Sequence, residues 1–272
     1  MQAIRIGDLT VQPLFDGTAL LAASLWTGSD WTSHRHLLRD DDTMLVPVGA
    51  FLVRVGSHLL LLDAGVGEVR NEMFDGGHLL HSLAAAGARP EDIDTIIVSH
   101  LHSDHMGWLE RDGAPVFANA TIHLGAADWA HFVDGESDGP RRAGRMRAVE
   151  SHVQLIERDG ETILPGVTTR ATPGHTPGHT STVLSSGEER LIVLGDALHC
   201  PAQLTEAEWQ FFYDVDPELG VRTRQALLQE AEQPGTSLLP CHFPGMQAAR
   251  LLPATGQRHW VLSGEQRRAA AK

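Results

Sequence analysis

The chain has 272 residues, of which 42% are hydrophobic and 21% charged, a composition typical of a folded globular protein rather than a disordered one. Asp and Glu number 35 against 21 Lys and Arg, which gives a net charge of -14 at pH 7. A negative charge of this size repels nucleic-acid phosphates and anionic lipid surfaces, so the composition predicts no nucleic-acid and no membrane partner.

The sequence also predicts a cellular location. No apolar segment approaches the roughly 20 residues that a membrane-spanning helix needs, and the first residues lack the basic and apolar stretches of a secretory signal. Cys200 and Cys241 are too few for a disulfide framework. We therefore predict a cytoplasmic protein, for which a homodimer is one assembly to test.

The predicted elements of the first half begin with a strand pair over residues 4–15. Residues 18–44 show no regular pattern and are predicted to form an irregular segment, a candidate flap over a binding site. Two β-rich runs, Leu45 to Val55 and His58 to Leu62, flank Gly56-Ser57, which is typical of a hairpin.

The remaining pattern alternates between strands and helices. A helix is predicted at 77–86 and a short buried strand at 93–99, directly before His100. The second half has predicted strands at 121–124, 167–171, 181–184, 191–194 and 237–239, and predicted helices at 127–132, 141–149 and 217–232. The basic run Arg141 to Arg147 is interpreted as a solvated helix face. With strands in both halves and helices between them, the sequence predicts a single α/β domain, residues 1–272, of two facing sheets with helices outside.

Metal-binding side chains are concentrated in the loop His100-Leu101-His102-Ser103-Asp104-His105. His100 and His102 are two residues apart, so on extended chain both imidazoles project to the same side and can chelate one ion. Imidazole and carboxylate suit Zn²⁺, and also Mn²⁺, Co²⁺ or Fe²⁺. Because one ion needs about three or four protein ligands, this loop cannot complete two sites alone.

Three later positions could complete them. His179 lies in Thr172-Pro173-Gly174-His175-Thr176-Pro177-Gly178-His179-Thr180, Asp196 in Gly195-Asp196-Ala197, and His242 in Pro240-Cys241-His242-Phe243-Pro244. All three follow strands or lie in Gly/Pro-rich turns, where a side chain can face a shared cleft. The duplicated Pro-Gly-His makes His175 an alternative to His179.

With these motifs the chain resembles the metallo-β-lactamase fold superfamily, whose signature is His-x-His-x-Asp-His followed by spaced His, Asp and His. The resemblance runs from Leu45 to His242. It implies an αββα four-layer sandwich of two mixed sheets, with two metal ions, Zn²⁺ by expectation, at one edge between the sheets.

The resemblance also implies a division of the ligands. One ion would be bound by His100, His102 and His179, the other by Asp104, His105 and His242, with Asp196 bridging them. The second histidine of the duplicated motif is preferred by similarity, so His179 is predicted over His175. Asp63, in the family's Asp-x-Gly turn, is expected to orient a ligand.

The implied activity is hydrolysis by a hydroxide that bridges two metals, since two cations lower the pKa of a shared water towards roughly 7. Asp104 would shuttle a proton. Within the superfamily the chain most resembles the group of N-acyl-homoserine lactonases and methyl parathion hydrolase-like enzymes, which implies an ester, lactone or phosphotriester of a small, hydrophobic substrate. Trp and Phe residues near the motifs are candidates to line its pocket.

One departure from that group concerns a catalytic position. Its lactonases have a substrate-polarising Tyr three residues after the bridging Asp, whereas this chain has His199. His199 either donates a hydrogen bond to a developing oxyanion or packs beside the site, and the sequence leaves both open. Two other functions also stay open: a mononuclear-iron dioxygenase resembling the persulfide dioxygenases of this fold, and a non-catalytic ligand-binding protein.

Overall fold

The computed structural model describes residues 2–135, 140–252 and 259–262. Within these ranges two large β-sheets stack face to face, and helices cover both outer faces. The αββα sandwich predicted from the sequence is confirmed. None of the described helices is long and apolar enough to cross a membrane.

The first sheet comprises eight strands of the described residues: β1 (Ile4–Ile6), β2 (Leu9–Ala22), β3 (Thr43–Val55), β4 (His58–Leu62), β5 (Phe74–Asp75), β6 (Thr95–Ile97), β7 (Thr121–Gly125) and β8 (Val153–Ile156). Their order is β1-β2-β3-β4-β6-β7-β8, and β5 pairs with β2. β1 to β4 are antiparallel, whereas β4, β6, β7 and β8 pair in parallel. The predicted hairpin of β3 and β4 is confirmed.

The second sheet comprises seven strands of the described residues: β9 (Thr162–Leu164), β10 (Val167–Ala171), β11 (Thr180–Ser186), β12 (Glu189–Val193), β13 (Thr236–Leu239), β14 (Ala249–Leu252) and β15 (His259–Leu262). They follow one another in sequence order, and only β12 and β13 pair in parallel. Two short antiparallel pairs, Trp26–Thr27 with Gln210–Phe211 and Glu110–Arg111 with Ala114–Pro115, lie outside the sheets.

The described α-helices are α1 (Leu79–Ala85), α2 (Ser103–Met106), α3 (Ala126–Trp129), α4 (Pro140–Ala148) and α5 (Pro217–Glu230). α3 continues as a π-helical turn, Ala130–Asp134. Single 3-10 segments are Ala23–Leu25, Trp31–Leu37, Pro90–Asp92, Glu150–His152, Gly195–Ala197, Pro201–Leu204 and Pro244–Met246.

Alternation along each strand builds the layers. Leu60 and Leu62 of β4 join the apolar cluster between the two sheets, while Leu61 joins the cluster beneath α1. Burial of one such leucine stabilises the fold by about 1.5–3 kcal/mol relative to an exposed one. A third cluster packs α5 against the outer face of the second sheet. Both faces of the central strands are therefore apolar, as in other sheets covered on both sides.

Residues 18–44 are more ordered than predicted. β2 continues through a bulge at Phe15/Gly17 to Ala22, and pairs with β3 over its whole length. Trp26 is 2% exposed and its ring lies 5.3 Å from that of Trp31. The prediction of irregular structure is wrong for residues 18–22 and 43–44, which are strand, because the alternation of β2 is interrupted in sequence only by the Asp16-Gly17 bulge.

Asp16 explains why that bulge is stable. Its fully buried carboxylate accepts hydrogen bonds from the backbone amides of Val66, Gly67, Gly77, His78 and Leu79 and from Trp108 Nε1. One side chain thus connects β2 with the loop after β4 and with the start of α1, and it satisfies amides that would otherwise be buried without partners.

Candidate metal centre

Five loops meet at one edge of the sandwich, and each follows the carboxyl end of a strand. They contribute Asp63 after β4, the loop His100 to His105 after β6, His175 after β10, Asp196 after β12 and His242 after β13. Strand ends position these side chains firmly, because the hydrogen bonds of the sheets fix the backbone up to the point where each loop begins.

Three imidazoles form a first donor cluster. His102 Nδ1 lies 3.0 Å from His100 Nε2 and 2.9 Å from His175 Nε2. Asp196 Oδ2 lies 3.5 Å from His175 Nε2 and 3.9 Å from His100 Nε2. His100 and His175 are buried, so water does not separate these atoms. The convergence of three nitrogens and one carboxylate oxygen is the ligand set of a divalent transition-metal ion.

A second donor cluster lies on the other side of the same carboxylate. Asp196 Oδ1 is 3.0 Å from His242 Nε2 and 3.2 Å from His105 Nε2. Asp104 Oδ2 is 3.6 Å and 3.7 Å from the same two nitrogens. Each cluster thus has one oxygen of Asp196.

Unsatisfied polar atoms test whether metal ions fit this centre. His105 Nε2 and Asp196 Oδ1 are buried, yet neither has a hydrogen-bond partner among the described residues. Buried polar atoms without partners are costly in a folded protein, and ligation of a cation would satisfy both. The donor types and their arrangement therefore fit two divalent ions.

The nitrogens that face away from the clusters are held by other groups. His105 Nδ1 lies 2.8 Å from Asp63 Oδ2, so Asp63 is placed to orient this imidazole. His242 Nδ1 donates to the Pro47 carbonyl oxygen at 2.9 Å, and His100 Nδ1 lies 3.0 Å from Ser99 Oγ. Partners of this kind fix the tautomer and direction of a metal-binding imidazole.

The structure corrects the choice between the two Pro-Gly-His histidines. His175 belongs to the first cluster, whereas both nitrogens of His179 are already used: Nε2 accepts the Asp196 amide at 2.9 Å and Nδ1 lies 2.8 Å from Thr172 Oγ1. Gly195 allows this contact, because a Cβ there would lie 2.7 Å from His179 Nε2. The prediction of His179 as the ligand is wrong; His179 supports the backbone of Asp196 instead.

Electrostatics differ between the clusters. Burial, followed by the neighbouring imidazoles, holds the pKa values of His100 and His102 well below the ordinary value. At His242 burial opposes the charged form, but Asp196 and Asp104 outweigh it and raise the pKa to about 9. His105 also has a raised pKa, because Asp196, Asp63 and Asp104 together outweigh its burial. His100 and His102 therefore favour the neutral form, whereas His105 and His242 favour the protonated one.

Asp128, which the sequence analysis missed, connects the two loops of the first cluster. Its carboxylate accepts from the Leu101 amide at 3.0 Å, from Thr176 Oγ1 at 3.0 Å and from the Gly178 amide at 2.6 Å. Burial raises its pKa above the ordinary value, although these hydrogen bonds act in the opposite direction. No motif in the sequence distinguishes this residue from other helix aspartates.

A cavity of about 300 Å³ opens over both clusters. Its lining combines a polar floor and an apolar side, formed by Ala19, Leu21, Val46, Met73, Phe74, His102, Ser103, Asp104, Arg142, His175, Asp196, His199, Phe211, Tyr213 and His242. Of the aromatic residues proposed to line a pocket, only Phe211 does so; Trp26, Trp31 and Trp209 pack against one another or Phe211.

Two arginines of α4 are also placed differently from the prediction. The Arg142 guanidinium lies 4.6 Å from the centroid of the Phe132 ring and lines the cavity. Arg145 donates to the Gly107 carbonyl oxygen at 2.6 Å and to Glu110 Oε2 at 2.9 Å. The solvated-face interpretation is wrong for both. Their spacing of three, which places them on one helix face, was the available signal.

His199 lies at the first cluster and is buried. Its Nε2 is 3.2 Å from His175 Nδ1 and 3.7 Å from Asp196 Oδ2, and its ring stacks on Phe211 with centroids 3.9 Å apart. Burial and neighbouring His175 lower its pKa well below the ordinary value, so the neutral ring, with one N–H donor, is the favoured form.

Comparisons with known proteins agree with this geometry. An N-acyl homoserine lactonase of Bacillus cereus is 30% identical over 184 residues, in an alignment that covers 61% of this chain and 69% of the relative. The dizinc quorum-quenching lactonase AidC, in complex with a product, superposes with a TM-score of 0.85 at 23% identity and 96% coverage of both chains. The hydrolase AbOPH, of the β-lactamase superfamily, gives a TM-score of 0.80 at 25% identity, covering 95% of this chain and 96% of that one.

The model of one family matches most of the chain. Residues 44–242 match the metallo-beta-lactamase superfamily, a range that includes every residue of both donor clusters. Since the fold, the spacing of the motifs and this match agree, the chain belongs to the metallo-β-lactamase superfamily.

Proposed function

We propose that this chain is a metal-dependent hydrolase that binds two divalent ions and opens the ring of N-acyl homoserine lactones or closely similar lactones. The observation that carries the proposal is the pair of donor clusters on the two oxygens of Asp196. The Bacillus cereus relative and AidC, both of them lactonases by name, supply the substrate class.

In this proposal His100, His102 and His175 would hold one ion, and Asp104, His105 and His242 would hold the other. Asp196 would contribute one oxygen to each. Zinc is the proposed metal because three-nitrogen and mixed nitrogen/oxygen sets suit it, and because AidC is described as a dizinc enzyme. Mn²⁺, Co²⁺ and Fe²⁺ suit the same donors.

Two bound cations supply a strong nucleophile at neutral pH and polarise the scissile carbonyl. Side chains of the protein are proposed to transfer the proton and to stabilise the oxyanion. Asp104, which is partly exposed and lines the cavity, is placed to take up a proton and return it to the departing alkoxide oxygen. His199 is proposed to donate from Nε2 to the oxyanion, because His199 lines the cavity and its Nε2 lies 3.7 Å from Asp196 Oδ2.

The cavity lining supports a small substrate with an apolar part. Leu21, Val46 and Phe74 are apolar residues of its lining, beside the polar donors. An N-acyl chain would lie along these residues while the ring carbonyl faces Asp196 and His199. Apolar pockets with a few convergent polar groups are the usual form of such sites.

The alternatives are less well supported. A mononuclear-iron dioxygenase has no need of a second complete set of donors, yet Asp104, His105 and His242 form one. A non-catalytic binding protein does not explain two buried clusters with supported imidazoles at the base of a cavity.

One experiment tests class and substrate together. A panel of N-acyl lactones, aryl esters, phosphotriesters and a β-lactam is assayed with parallel measurement of metal content. We expect two ions per chain, lactone hydrolysis that is lost on chelation, and its return with Zn²⁺. Hydrolysis by a properly stripped sample, or one iron per chain with oxygen consumption, would overturn the proposal.

Four features stay predictions. They are a cytoplasmic location, a homodimer, a single domain over residues 1–272, and closure of residues 18–44 over the site. Ala19 and Leu21 line the cavity as part of β2, which pairs with β3, so they do not themselves support closure.

A further inference from the structure

A buried carboxylate outside both donor clusters contacts the first one. Asp214 lies in the loop between Phe211 and α5, with a side chain that is 1% exposed. Its Oδ1 lies 2.8 Å from His175 Nδ1, the nitrogen that faces away from the cluster. We infer that Asp214 is a positioning residue that fixes His175 for binding of the first ion. This inference rests on the proposed metal centre.

The loop holds the backbone of His175 as well as its ring. The Val215 amide donates to the His175 carbonyl oxygen at 3.0 Å, and the Asp216 amide donates to the Gly174 carbonyl oxygen at 2.9 Å. Gly174 permits this close approach, since a Cβ there would lie 2.3 Å from the Gly220 amide nitrogen. Two backbone bonds and one side-chain bond therefore set the direction of a single imidazole.

The two oxygens of Asp214 have separate tasks. Oδ1 faces His175, while Oδ2 accepts the Phe211 amide at 3.2 Å and lies 4.0 Å from Arg224 Nη2. Arg224 is itself held by the carbonyl oxygens of Ala197, Ala207 and Trp209. The contacts of Oδ2 therefore restrict the orientation of the Asp214 carboxylate.

This support makes the first cluster a counterpart of the second. Asp63 holds the outward nitrogen of His105 at 2.8 Å, and Asp214 holds that of His175 at the same distance. Each ion would then have one imidazole backed by a carboxylate. A carboxylate partner raises the basicity of a ligating imidazole, and loss of such a partner typically lowers metal affinity by about 10- to 100-fold.

The test separates the two ions by breaking one cluster at a time. His105→Ala leaves the first cluster and His102→Ala leaves the second, so each variant binds one Zn²⁺ with an affinity measurable by chelator competition. Asp214→Asn or Asp214→Ala is then introduced into each of these two variants. In the His105→Ala background we expect either change to lower the Zn²⁺ affinity about 10- to 100-fold, Asp214→Ala more than Asp214→Asn. In the His102→Ala background we expect the Zn²⁺ affinity to stay unchanged.

Controls exclude a general effect on folding. Glu218→Gln, an exposed change at the start of α5, should alter neither affinity. Thermal unfolding of the metal-free variants shows whether the fold persists. Equal affinities with and without Asp214, or equal losses at both clusters, would overturn the inference. Failure of the wild type to bind two ions would instead overturn the proposed metal centre, on which the inference depends.

Discussion

The two donor clusters share one carboxylate but differ in charge. The first consists of His100, His102 and His175, whose outward supports are Ser99 Oγ and the Asp214 carboxylate. The second has a carboxylate of its own, Asp104, close to His105 and His242. With one oxygen of Asp196 on each side, the first cluster has no carboxylate of its own, whereas the second has Asp104.

Under the proposed function this difference would separate two roles within one site. A cation held by the first cluster would be more electron-poor, because its ligands would carry less negative charge, and it would be better suited to polarise a carbonyl. His199 lies on that side, 3.2 Å from His175, and Asp104 lies on the other. The proposal therefore places substrate activation and proton transfer on opposite sides of Asp196.

The largest effect is expected when one ligand is removed from either cluster. His102→Ala and His105→Ala should each lose one ion, and kcat/KM for a lactone should fall at least about 10³-fold, because the lost metal effect is worth several kcal/mol. Metal analysis and kinetics measure both. His81→Ala, an exposed change on α1, is the control. Full activity with one ion would contradict a two-metal mechanism.

A second test sharpens the asymmetry at His199. His199→Phe keeps a ring that stacks on Phe211 but removes the N–H donor. If this donor stabilises the oxyanion, kcat falls about 10²- to 10³-fold with two ions still bound. The measurements are kcat and the number of metal ions bound per chain. Near wild-type kcat in this variant would show that His199 only packs beside the site.

A third test compares the two Pro-Gly-His histidines. His175→Ala should lose the ion of the first cluster, whereas His179→Ala should keep both ions. The second change leaves the Asp196 amide without its acceptor, so we expect a loss of about 1–3 kcal/mol in the free energy of unfolding. Denaturant unfolding and metal content show which of the two histidines is a ligand. Loss of an ion in His179→Ala would support the prediction that His179 is the ligand.

The smallest expected effect concerns protons. In the metal-free protein the pKa of His242 is about 9, so at pH 7 this imidazole is protonated and must release its proton when an ion binds. His100 and His102 have lowered pKa values and release none. The affinity of the second cluster should therefore rise more steeply between pH 7 and 9 than that of the first.

Calorimetry in buffers of different ionisation enthalpy measures this release. His102→Ala, which keeps the second cluster, should release more protons per ion at pH 7 than His105→Ala, because His105 and His242 both have raised pKa values whereas His100 has a lowered one. Equal release from both variants would show that the clusters do not differ in charge.

Local sequence determined much of this protein. Short apolar runs bounded by turn residues predicted the central strands of both sheets, because strands buried on both faces read as near-continuous apolar stretches. The donors of the loop His100 to His105 could be predicted from the sequence, because four of them lie within six residues directly after a predicted strand. Asp196 and His242 were found for the same reason, as donors at strand ends.

Only the tertiary structure decided between His175 and His179. Both follow the same Pro-Gly pair, so their local sequences are equivalent, and the choice depends on distant groups: Asp214 holds the ring of His175, and the Asp196 amide occupies His179. Arg142 and Asp128 also acquire their roles from elements far along the chain. A side chain becomes a ligand through the direction in which its neighbours hold it, and those neighbours are chosen by the packing of the two sheets.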